Sequence, residues 1–133
     1  MAVRQALRER MGELGPLEEH RFGGGSEAGT NLILKLPGRE PRRRPVLVGA
    51  HYDGPLQSPG ADDNASGLAA LLKLARRWAA EPPRRPVWIV ASDQEEWGMV
   101  GSRALAQELR AAAQPLKLMV SLEMLALSSK EQN

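Results

Sequence analysis

Cysteine is absent from the 133 residues, so the chain forms no disulfide and no thiolate metal site; any metal would be held by histidine and carboxylates. Aromatic residues are scarce at 4%, which leaves Leu, Val, Ala and Ile to build the core. Histidine occurs only at positions 20 and 51. An excess of charge is also lacking. The formal net charge is +2 despite a sequence pI near 9.4, and Arg42-Arg43-Arg44, Arg76-Arg77 and Arg84-Arg85 do not alternate with aromatics that would stack bases. A nucleic-acid partner is therefore not expected. The amino terminus has no long apolar run, hence neither a secretory peptide nor a membrane span is read there. If Met1 is the true start, the default compartment is cytoplasmic.

What is present suits one globular domain, residues 1–133: 42% of residues are hydrophobic and 26% charged, and a chain of this length buries roughly two thirds of its unfolded surface. Residues 2–14 carry Val3, Leu7, Met11 and Leu14 at helical spacing, ending at Gly15-Pro16. Residues 17–22 and 30–36 read as strands joined through Gly23-Gly24-Gly25-Ser26, a hairpin. The apolar run 45–50 predicts a buried strand, residues 64–80 an amphipathic helix, 86–91 a central strand, and 101–112 a helix with Ser102 as its cap. The last apolar run, 116–125, contains Glu123, a carboxylate that is costly there unless paired. Helix, hairpin, strand, helix, strand, helix, strand predicts a three-layer α/β/α domain with a mixed, largely parallel central sheet.

In such sheets ligands bind beyond the carboxyl ends of the strands. His51 closes the strand before the loop His51-Tyr52-Asp53-Gly54-Pro55, and Asp53 shares a face with it while the chain stays extended, so its carboxylate is placed to accept a hydrogen bond from the ring. Asp62-Asp63-Asn64 follows at a helix start. By itself this loop reads equally well as a helix cap beside a core histidine. A second cluster, Glu95-Glu96 after the 86–91 strand, and a third acid, Glu123, shift the reading toward a site. One histidine with several carboxylates and no thiolate suits zinc in a catalytic centre, and a carboxylate free of metal serves as base for water.

The chain resembles the zinc-dependent aminopeptidases that include bacterial leucyl aminopeptidases and aminopeptidase Y, with glutaminyl cyclases and glutamate carboxypeptidase II as relatives. The motifs that carry the resemblance are His51-Tyr52-Asp53, Gly60-Ala61-Asp62-Asp63-Asn64-Ala65-Ser66-Gly67, Glu95-Glu96 with Gly98 and Gly101-Ser102, and Ser121-Leu122-Glu123-Met124. It implies a zinc-exopeptidase-like fold, one or two Zn2+ ions, a peptide or aminoacyl substrate, and no membrane partner. It further implies metal ligation by His51, Asp63 as bridge, Glu96 and Glu123, catalysis by Glu95 as general base, an orienting role for Asp53, and a cis peptide at Asp63-Asn64.

One departure is plain: a second ligating histidine expected downstream is not found. His20 lies in the early hairpin and is expected to be a surface residue. The first zinc would keep three ligands and the second only Asp63 and Glu96, so one firmly held zinc and little turnover are expected. The missing carboxyl-terminal part would leave the last strand with an uncovered edge or apolar face. A single-zinc acyltransferase of glutaminyl-cyclase type, and a non-catalytic relative kept for binding, are the competing readings.

Overall fold

The computed structural model describes residues 2–126. Apolar side chains that alternate along the strands are sorted by the pleat onto two sheet faces, and both faces need cover. Five strands form one sheet: β1 (Leu17–Phe22), β2 (Gly29–Leu36), β3 (Val46–His51), β4 (Val87–Ser92) and β5 (Leu118–Ser121), in the order β1-β2-β4-β3-β5. β2 runs antiparallel to both β1 and β4, whereas β3 runs parallel to β4 and β5. The central strand is β4, as the sequence predicts.

Two helices cover one face. Leu7 and Met11 of α1 (Ala2–Gly12) and Leu68, Leu71 and Ala75 of α2 (Gly67–Ala80) pack on Leu32, Leu34, Val48, Ile89 and Ala91. Leu105 of α3 (Val100–Ala111) packs on the other face with Ile33, Leu47 and Val90. Helix, sheet, helix is the expected three-layer arrangement. Met11, Leu32, Leu34, Leu71 and Ile89 are fully buried, each burial contributing about 1.5–3 kcal/mol from the apolar surface removed from water. Among the described residues, no helix is long and apolar enough to cross a membrane.

The α3-side face is only half covered. A cleft of about 610 Å³ runs beside α3, lined by Leu47, Val90, Leu109, Leu116 and Met119, with Glu95 and Glu123 among its lining residues. β5 is an edge strand, and its Leu118 and Met119 are exposed, which is the uncovered strand expected from the sequence.

Four local expectations are corrected. α2 starts at Gly67 rather than at residue 64, because Asp63 (φ −103°, ψ 90°) and Asn64 (φ −134°, ψ 39°) lie outside helical geometry and kink the preceding Ala61–Ser66 segment. β5 stops at Ser121, so Glu123 stands beyond the strand end, half exposed, rather than inside an apolar run. Ser102 is not the cap of α3: its hydroxyl donates back to the Met99 carbonyl (3.1 Å), and Met99, at φ 59°, occupies the cap position. His20 is no surface residue. Its side chain is 9% exposed, lying 2.9 Å from Asn31 Nδ2 and 3.1 Å from Glu108.

Candidate metal centre

Because β3, β4 and β5 are mutually parallel, their carboxyl ends open on one edge of the sheet, and the acidic segments that follow them meet there. His51, the last residue of β3, is 2% exposed. Its Nε2 lies 3.0 Å from Asp63 Oδ1 and 3.2 Å from Glu123 Oε2. A single N–H serves only one of two carboxylates well, whereas a cation between the three satisfies all of them. His51 also shares a second ligand-sized cluster with Glu95 and Glu96; within each trio the ligand atoms lie within 4.8 Å of one another. The donors are one imidazole nitrogen and carboxylate oxygens, a set that fits a zinc ion.

Asp53 acts differently from the sequence expectation. His51 Nδ1 lies 3.0 Å from the Asp53 backbone carbonyl and 3.4 Å from its carboxylate, so the carbonyl is the closer partner. The carboxylate, besides facing the ring, accepts the backbone N–H groups of Glu95 and Glu96, each at 3.0 Å. Asp53 thereby links the ring of His51 to the loop that presents the two glutamates.

The Glu95-Glu96 loop is braced from below by residues the sequence reading passed over. Asn31, fully buried on β2, donates to the Gly101 carbonyl (2.8 Å) and accepts from Asp93 N–H (3.0 Å). Asp93 accepts from Thr30 N–H (3.1 Å), and Tyr52 donates to the Thr30 carbonyl (2.6 Å). A Cβ on Gly101 would stand 2.3 Å from the Asp93 carbonyl oxygen and 2.5 Å from Asn31 Oδ1, so only glycine allows α3 to approach this closely. The signal in the sequence was Asn31 itself, a polar residue abutting the apolar run Leu32-Ile33-Leu34. The Asp63-Asn64 peptide is cis.

Electrostatics follow the geometry. Burial by itself would push the His51 ring down, but the hydrogen bond that the ring donates to the Asp53 side chain and the charges of Glu123 and Asp53 prevail, raising its pKa from 6.5 to about 9. Burial acts upward on Asp53, yet the His51 ring and the two amide donors hold its carboxyl below the usual range. Glu96 is raised, first by partial withdrawal from water and then by the charges of Asp63 and Glu95.

A histidine raised on folding stabilises the metal-free protein fully below its unfolded pKa near 6.5, and that stabilisation is lost as pH climbs through about 9. The urea midpoint of metal-free protein is expected to fall between about pH 6.5 and about pH 9.5. A flat midpoint over that window would mean that the carboxylates do not hold the ring as drawn.

The chain has relatives among known proteins. A probable zinc metalloprotease of Pyrenophora tritici-repentis is 36% identical over 110 residues, covering 77% of this chain and 25% of that protein. The chain thus spans about a quarter of the length of this curated relative. The crystal structure of the LapA aminopeptidase of Legionella pneumophila superposes with a TM-score of 0.76 at 22% identity, over 90% of this chain and 35% of that one. An Acidobacteriales glutaminyl cyclase superposes with a TM-score of 0.74 at 22% identity, over 92% of this chain and 47% of that one. These two likenesses establish the three-layer α/β fold with its mixed central sheet. The family model described as Peptidase family M28 matches residues 31–133, a stretch that takes in His51, both acidic clusters and Glu123, and the chain belongs to that family.

Proposed function

We propose that the cluster is a zinc centre and that it hydrolyses the amino-terminal bond of peptides. The observation that carries the reading is the convergence of Asp63 and Glu123 on one nitrogen of a buried histidine, with Glu95 and Glu96 held beside the same ring. His51, Asp63 and Glu123 would hold the first ion, and Asp63 with Glu96 the second. Zinc, when bound, polarises a carbonyl and lowers the pKa of water toward about 7.

The chain's own groups do the rest. Asp53 orients the His51 ring through its carbonyl and sets the Glu95-Glu96 backbone through its carboxylate. Glu95, as general base, takes a proton from the attacking water on its carboxylate while oxygen bonds to the peptide carbon. The same carboxyl then returns the proton to the amine nitrogen as the C–N bond breaks. Membership of the family and the likeness to a probable zinc metalloprotease and to the LapA aminopeptidase support this reading.

Both trios contain His51, so one tightly bound zinc per chain is the expected stoichiometry when metal-free protein is titrated by calorimetry. Peptides beginning with leucine and with glutamine are then incubated with the loaded chain and followed by mass. Release of the first residue with gain of water supports the peptidase reading, whereas loss of ammonia from the glutamine peptide would replace it with acyl transfer. Zinc binding without either product would leave a binding relative, and no zinc binding would overturn the centre itself.

A further inference from the structure

Glu123 is the most exposed member of the His51–Asp63–Glu123 cluster. It stands two residues past the end of β5, its side chain is 45% exposed, and apart from His51 its hydrogen-bond partner among the described residues is the Ser121 hydroxyl, at 3.1 Å. Packing of its own side chain therefore does not set its place; the backbone must.

That backbone is held from one side. The Asn64 side chain donates to the Leu122 carbonyl (2.8 Å) and accepts from Met124 N–H (3.2 Å), gripping the chain on both flanks of Glu123. Ser66 Oγ accepts from Leu125 N–H (2.9 Å), and Asp62 Oδ1 accepts from Ala126 N–H (2.9 Å). Every polar side chain of the Ala61–Ser66 segment other than Asp63 thus bonds the 122–126 backbone. Asn64 is 2% exposed, so its own two bonds are partly shielded from competing water, whereas those of Ser66 and Asp62 are exposed. An amide offers its donor and its acceptor on two separate atoms, and an acid at this position would set its oxygen against the Leu122 carbonyl. Gly67 closes the fit, since a Cβ there would stand 2.4 Å from both Asn64 Oδ1 and the Leu122 carbonyl oxygen.

We propose that Asn64, supported by Ser66 and Asp62, is the positioning residue that places Glu123 in the metal cluster, so that the segment supplying Asp63 also delivers the ligand opposite it. This rests on the zinc reading. Zinc affinity is then set in part by a side chain that does not touch the metal, an effect of about 10–100-fold for residues that orient ligands.

The test measures zinc affinity of the full chain by chelator competition in wild type, Asn64→Asp, Glu123→Gln and the double variant, with the visible spectrum of the Co2+-loaded protein as second readout. N64D is expected to weaken zinc about 10–100-fold and to give the Co2+ spectrum of E123Q, and the double variant should bind as E123Q does. N64D that binds like wild type, or losses that multiply in the double variant, would overturn the proposal. Should N64D fail to fold, Ser66→Ala removes the acceptor of Leu125 N–H together with the hydroxyl's donation to Asp62, and leaves Asn64 in place. A several-fold loss of affinity that vanishes in the E123Q background supports the proposal, and unchanged affinity overturns it. Wild type that binds no zinc sinks the metal reading instead, which keeps the two failures apart.

Discussion

Replacing His51 by alanine is expected to lower zinc affinity by more than about 100-fold, beyond what loss of an orienting partner costs. His51 is the one donor common to both trios and the only nitrogen in either. Its removal leaves Asp63 and Glu123 facing each other without the base that both approach. Chelator competition measures the loss, and His20→Ala is the matched control. That ring is engaged by Asn31 and Glu108 at the other end of the sheet order, so zinc affinity should stay within about threefold of wild type. Equal losses in the two variants, or stoichiometric zinc binding by H51A, would show that the ion does not sit on β3.

Glu95→Gln should separate chemistry from binding. The adjacent glutamates hang from the two oxygens of one Asp53 carboxylate, so their backbones are fixed together while their side chains stay free to take different tasks. As general base, Glu95 contributes about 10²–10⁴ to the hydrolysis rate, and the amide should remove it while leaving zinc affinity within about twofold. Glu96→Gln should do the reverse, loosening the second ion before it changes the rate of the loaded protein. If E95Q releases zinc and E96Q does not, the two roles are exchanged.

Much of this was legible from residue order. Strand after strand ending in His51, Glu95-Glu96 and Glu123 follows from local apolar periodicity, and parallel strands put such ends on one edge whatever the details. β4 falls at the sheet centre because its run is apolar throughout, and the three layers follow from helices alternating with strands. The six candidate residues could be named because short motifs carry residue type and spacing together.

Less was legible where one side chain serves a distant backbone. Asp53 reads as a carboxylate partner for His51, since the two are neighbours in sequence, yet its oxygens bond amides more than forty residues away, and its carbonyl is the closer partner of the ring. Asp62 and Asn64 read as part of a helix cap for the same reason, although their bonds, with that of Ser66, cross to residues 124–126. His20 reads as exposed because it lies in the early hairpin, and only the packing of α3 against β1 buries it. Local pattern thus determined the elements, their order and the chemistry each strand end carries. Tertiary structure alone decided which backbone each polar side chain holds, because a buried amide or carboxylate must satisfy its hydrogen bonds with whatever the fold brings near, however far away in sequence.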